Sequence, residues 1–211
     1  MNNINQLYQF VIQISNEFNI DESHALKHSM DVFYHAIDIF EHELNLFNFK
    51  NNDEYIQIKN IISLSAILHD MCDNKYMDVE NGLNEINNVL TSDLSQEEIN
   101  IVKTIINTMS YSKVKKQGFP SMGNYQLAYH IVRESDLLAA YDFDRCMIYH
   151  MNKNDSDVRK AFHNAEELFD NRVMRHHEDN LLVTEYSQSQ HTLLSSSARI
   201  RMRSWKNILK I

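Results

Sequence analysis

The sequence predicts an all-α fold. Three observations carry that expectation: a near absence of chain breakers, long stretches of apolar residues spaced three and four apart, and a mid-chain helix-start pattern. The 211 residues include only 3 glycines and 1 proline, where average usage would give roughly 15 and 10. Hairpins and sandwiches consume both residue types at their turns, so a β-rich fold is disfavoured.

The elements follow in order. Ile4, Leu7, Tyr8, Val11 and Ile14 form a first helical stripe. A second helix is expected from near Ser23 through Asn45, with Ala25, His28, Val32, Ala36 and Ile39 on one face. A third runs from about Asp53 to Asp70 and a fourth from about Asp78 to Leu90. Ser95-Gln96-Glu97-Glu98 has the capping-box pattern, in which serine and glutamate satisfy each other's backbone N–H groups, and opens a helix reaching Met109. The stretch Ser110 to Asn124 holds two of the three glycines and the proline, and reads as the main loop. Helices are then expected over Tyr125 to Tyr141, Asp142 to Met151 and Ser156 to His176. The last segment, Ser187 to Leu209, reads as an amphipathic helix with Leu194, Ala198, Trp205 and Ile208 near one face, packing on the domain and presenting a basic face to solvent.

Composition also restricts function. Gly82, Gly118 and Gly123 are too scattered for a glycine-rich phosphate cradle, so phosphate handling would fall to a metal and cationic side chains. The net charge of -9 argues against broad binding to nucleic acid or anionic membranes. Charge is uneven, with no acid after Glu185 and a basic end formed by Arg199, Arg201, Arg203, Lys206 and Lys210. Two cysteines, Cys72 and Cys146, without disulfide-framework spacing, suit a reducing compartment. The first residues lack the basic region of a signal peptide, and no stretch has the length and apolarity of a membrane span. The expectation is a soluble, cytoplasmic protein.

The chemistry-bearing residues stand out by position. The apolar run Ile61 to Leu68 is followed at once by His69-Asp70, and a buried carboxylate is costly without a partner. Asp136 interrupts the stripe Tyr129, Val132, Ala139, Phe143, and His28 interrupts the stripe of the second helix. The bland readings are a core histidine with an ordinary hydrogen bond, and an aspartate paired with Arg133 or Arg145. His24, one turn before His28, competes with it for the same role. His35 and His42 lie about 10 and 20 Å along the axis from His28, too far to share one ion with it. Adjacent residues in a helix point about 100° apart, so His69 and Asp70 can share a ligand only in the notch between them, a demand met most easily near a helix end.

The set His28, His69-Asp70 and Asp136 resembles the H…HD…D pattern of the HD-domain metal-dependent phosphohydrolase superfamily. The resemblance covers roughly residues 20–145 and extends to the apolar lead into the dyad and the aspartate on its own helix. It implies a single HD-type helical bundle over residues 1–211, with a metal-site core at about 20–145 and a C-terminal helical extension at about 152–211. It implies metal ligands His28, His69, Asp70 and Asp136. It also implies one divalent ion, Mn²⁺ first, with Fe²⁺, Co²⁺, Ni²⁺, Zn²⁺ or Mg²⁺ also compatible with a mixed nitrogen–oxygen set.

Within the superfamily the chain is most similar to small standalone nucleotide-hydrolysing proteins, through the charged continuation Asp70 to Tyr76 and the serine-bearing segment Ser110-Tyr111-Ser112-Lys113. Ala25 and Asp31 stand where such proteins often carry aspartate and arginine. The implied activity is hydrolysis of a nucleotide or similar small phosphorylated substrate, nucleoside triphosphate pyrophosphohydrolysis being the first specific expectation. The alternatives are a 5′-nucleotidase, a phosphodiesterase, or a catalytically silent metal- and nucleotide-binding sensor module. Asp73 is the candidate for orienting or deprotonating the attacking water, and Lys75 for phosphate charge. His24, Lys113 and Ser110 are candidates for substrate contact. The plain alternatives are a solvated turn acid for Asp73 and, for the lysines, helix C-termini that favour cations without any ligand.

Overall fold

The computed structural model describes residues 4–92, 94–153 and 157–211. The fold is all-α, and the described residues contain no strand. Its helices are α1 (Ile4–Glu17), α2 (Leu26–His42), α3 (Asn52–Leu68), α4 (Val79–Leu90), α5 (Gln96–Thr108), α6 (Tyr111–Gln117), α7 (Gln126–Ala139), α8 (Phe143–Lys153), α9 (Val158–Asn171) and α10 (Glu185–Leu209). Short 3₁₀ turns cover Leu44–Leu46, Gly123–Tyr125 and Val173–Arg175. None of these helices is long and apolar enough to cross a membrane.

Helix starts follow side-chain caps. Asn51, Asp78, Ser95, Asp157 and Thr184 each accept a backbone N–H from the first turn of α3, α4, α5, α9 and α10, satisfying donors that have no partner within the helix. Ser95 and Glu98 form the full capping box expected from the sequence.

α3 is the hub of the bundle. It packs on α2, α5 and α7, and α2 packs in turn on α7. Every residue from Ile61 to Leu68 is buried, so this stretch has no solvent face at all. Each fully buried isoleucine or leucine there contributes about 1.5–3 kcal/mol. A separate apolar cluster joins α8, α9 and α10, with the Phe143 ring edge-on to Phe162 at 5.6 Å and to Phe169 at 5.1 Å between centroids.

Two buried carboxylates dock the start of α10. Glu134 accepts the Val183 N–H at 2.9 Å, the Thr184 N–H at 3.1 Å, the Thr184 hydroxyl at 2.7 Å and Arg133 Nη2 at 2.8 Å. Glu43 Oε1 accepts the Tyr186 N–H at 2.9 Å. Negative charge at a helix N-terminus also complements the helix dipole.

Several element expectations are corrected. The second helix starts at Leu26 rather than Ser23, because Asp21 Oδ1 takes the Ser23 N–H at 2.9 Å and stabilises a turn instead. It ends at His42 and is followed by the 3₁₀ turn, short of Asn45. The third helix stops at Leu68, which leaves His69 as its C-cap and Asp70 in the turn beyond. The stretch read as a loop contains α6, anchored by buried Val114 and closed by Gly118 at φ 76°, a left-handed conformation that favours glycine. α9 begins at Val158; Ser156 lies outside the described residues. α10 docks through Leu194, Ala198, Met202, Trp205 and Leu209, whereas Ile208 is 68% exposed.

Candidate metal centre

Four side chains from three helices and one turn converge beside α3. The His28 ring is buried on α2, His69 caps α3, Asp70 follows it and Asp136 projects from α7. His28 Nε2 lies 3.1 Å from His69 Nε2, 3.4 Å from Asp70 Oδ2 and 3.3 Å from Asp136 Oδ1. His69 Nε2 lies 3.2 Å from Asp70 Oδ2 and 3.9 Å from Asp136 Oδ1. Among the described residues, one group of three has ligating atoms all within 4.8 Å of one another: His28, His69 and Asp136. Asp70 adds its carboxylate from the imidazole side.

These separations fit a divalent ion. Donor atoms about 2.1 Å from an ion, at neighbouring octahedral positions, stand about 3 Å apart. Asp70 Oδ2 is buried with no hydrogen-bond partner of acceptable geometry, which is what a ligand atom awaiting a cation looks like. His69 Nδ1 faces the Ala66 carbonyl at 2.9 Å. That contact engages Nδ1 and leaves Nε2 facing the cluster, the usual support for a metal-ligating histidine.

Local folding explains the placement. Ending α3 at Leu68 lets the chain turn, with the Met71 N–H on the Leu68 carbonyl at 3.0 Å and the Asp73 N–H on the Asp70 carbonyl at 3.2 Å. His69 keeps helical backbone angles (φ -57°, ψ -33°), so its side chain and that of Asp70 leave the chain in different directions and meet only at the cluster. α4 presses against the turn at Gly82, where an added Cβ would stand 2.6 Å from Cys72 Cβ. The Ser29 hydroxyl donates to the Ile67 carbonyl at 2.7 Å and clips α2 to α3 one residue from His28.

Electrostatics divide the two histidines. Burial, aided by the Arg145 charge, pushes the His28 imidazole down to about 3. Burial also acts against charge on His69, but the charge of the adjacent Asp70 carboxylate outweighs it and raises the imidazole to about 9. Burial would raise Asp70 and Asp136 as well. His69 holds Asp70 well below the usual carboxylate range, and the His28 hydrogen bond with the His69 charge does the same for Asp136.

Two cavities meet at the cluster. The larger, about 260 Å³, touches Asp70 and Asp136 and is walled by His24, Arg145, Tyr149, Phe169 and Arg172. The smaller, about 210 Å³, touches His69, Asp70 and Asp136 and is walled by Asn107, Ser112 and Lys113. Asp73, Lys75, Ser110, Tyr111 and Arg172 line both.

The remaining expected site residues fall as follows. Asp73 and Lys75 form an ion pair at 3.0 Å on the rim of both cavities. His24 is held by the Ser23 hydroxyl at 2.6 Å, the Tyr76 hydroxyl at 3.2 Å and Lys75 Nζ at 3.2 Å, and its ring lines the larger cavity. The ligand cluster contains His28 and leaves His24 outside. Lys113 lines the smaller cavity, but its ammonium donates to Asn107 at the end of α5, at 2.5 Å and 2.9 Å. Asp136 has neither of its bland partners: Arg133 is committed to Glu134, and Arg145 reaches past it to His28.

Sequence reasoning missed Arg145 and Arg172 as pocket residues. Arg145 entered the sequence reading only as a possible partner of Asp136, yet its Nη1 lies 2.7 Å from His28 Nε2 and 3.2 Å from the Ser23 carbonyl. Arg172 follows Ala165 and Phe169 at helical spacing. A cation on a buried stripe is the same signal that marked Asp136. No family model, curated protein or solved structure matches this chain.

Proposed function

We propose that the chain is a divalent-metal-dependent phosphohydrolase of the HD type, acting on a nucleotide or similar small phosphorylated substrate. The supporting observation is that the Nε2 atoms of His28 and His69 lie 3.1 to 3.9 Å from each other and from the carboxylates of Asp70 and Asp136, at the meeting point of two cavities lined by cations. Those four residues would hold the ion, which would polarise a phosphoryl oxygen and lower the pKa of water. Asp73, oriented by Lys75, stands where it can take a proton from water entering from either cavity. The two-sided cavity favours a phosphate substituted on both sides, with the apolar, aromatic end of the substrate beside Tyr149 and Phe169. Nucleoside triphosphate pyrophosphohydrolysis is therefore the first specific reading.

The test is a nucleotide panel assayed with Mn²⁺, Mg²⁺, Co²⁺ and Ni²⁺, with pyrophosphate and orthophosphate measured separately. Pyrophosphate release supports the reading, orthophosphate release moves it to a 5′-nucleotidase, and no metal-dependent turnover across the panel overturns it. One observation favours the silent sensor instead. Arg145 donates toward His28 Nε2 at 2.7 Å, on the lone pair an ion would need. Thermal stabilisation by nucleotide without any product would support that alternative.

A further inference from the structure

Arg145 and Arg172 line the larger cavity from α8 and from the end of α9. Among the described residues, neither guanidinium has a carboxylate in salt-bridge contact. Arg172 lies over the Tyr111 ring at 4.2 Å, a contact that supports the guanidinium without neutralising it. The two arginines feel each other's charge, and Asp136 is the acid that most favours Arg172. Asp136 is also a ligand candidate, so an ion at the cluster would claim its charge. The carboxylates of Asp70 and Asp136 would together balance a divalent ion, and both guanidinium charges would then be left unopposed in a half-buried cavity.

We infer that Arg145 and Arg172 form an anion subsite for a second phosphoryl group beside the one held at the cluster, so that the site selects compounds with consecutive phosphates. This rests on the metal-site reading for the first phosphate, but the arginine pair itself does not need the ion. Planar guanidinium groups bind phosphate oxygens through paired N–H donors. Arg172 lines both cavities, which puts its fork at the junction where a phosphate chain would pass. The aromatic support from Tyr111 makes lysine a poor replacement, because an ammonium carries the charge without the plane.

The experiment is calorimetric titration of inorganic pyrophosphate and orthophosphate into wild type, Arg172→Gln and Arg172→Lys, with and without Mn²⁺. Metal content and circular dichroism are measured on each protein. Arg172→Gln is expected to weaken pyrophosphate binding at least about 10-fold and orthophosphate less than about 3-fold, with metal content unchanged. Arg172→Lys should fall between. Wild-type pyrophosphate affinity in folded Arg172→Gln, or equal loss for both anions, overturns the subsite. If the protein takes up no metal, Arg172-dependent pyrophosphate binding without metal keeps the subsite and sinks the hydrolase reading instead.

Discussion

At the scale of single residues, the site depends on which atom each side chain presents. His69 offers Nε2 because Ala66 engages Nδ1, and Asp70 offers Oδ2 because nothing else does. His69→Ala and Asp136→Ala are therefore expected to lose bound metal while keeping the helical circular-dichroism spectrum. Metal analysis of protein purified without added metal checks this, and any metal-dependent activity should fall by more than roughly 100-fold. Wild-type metal content in both variants would mean that the ion, if any, sits elsewhere. The dyad and its two distant partners were legible in the sequence because each is a polar interruption of an apolar stripe. Arg172, just past the end of α9, continues the spacing of its buried stripe. Arg145 follows no such rule: it reaches His28 across more than a hundred residues, a contact that no local pattern encodes.

At the scale of elements, the helices around the site are held by buried polar joints. Glu134, fully buried, gathers Arg133 and three donors at the start of α10. Glu134→Ala would leave Arg133, itself 1% exposed, without its counter-charge. Breaking a buried pair on one side costs about 3–5 kcal/mol. Denaturant unfolding should show that loss, and hydrogen exchange should show early opening at the first turns of α10. The far half of α10 is joined to α8 by Asp144, which accepts Trp205 Nε1 at 2.7 Å and Arg201 Nε at 2.8 Å. Asp144→Ala should change global stability little, because Arg201 is exposed and its charge is screened by solvent. Trp205 is the sole tryptophan, so the loosened helix end should appear as a red shift of its emission; unchanged emission would argue that this joint carries no weight. Helix existence was readable from caps and stripes, whereas α6 was not. Its seven residues are too few for a periodic signal, and its stability comes from packing.

At the scale of the whole molecule, acid stability should reflect buried neutral imidazoles. His176 is fully buried between the rings of Tyr111 and Tyr141, at 6.0 and 5.7 Å, with no hydrogen bond to either ring nitrogen. Burial, then the Arg172 charge, pushes it down to about 3. The unfolded chain would protonate this group near 6.5, so stability is intact above that pH and is lost as pH falls toward 3. The slope from His176 is about 1.4 kcal/mol per pH unit in that window. His176→Leu should flatten the stability profile there by about one proton; an unchanged profile would show that other groups set it.

The sequence by itself determined the fold class and most helix starts, and marked His28, His69, Asp70 and Asp136 as chemistry-bearing candidates. These follow from local rules: few breakers, capping side chains, and polar residues on stripes that must be buried. Only the tertiary structure decided that α3 stops at Leu68, placing His69 at its cap and Asp70 in the turn beyond, where both reach His28. It also decided that two arginines from the C-terminal half face the cluster. That arrangement depends on how α8 and α9 pack on each other and on α10, and long-range packing leaves no periodic trace in the chain.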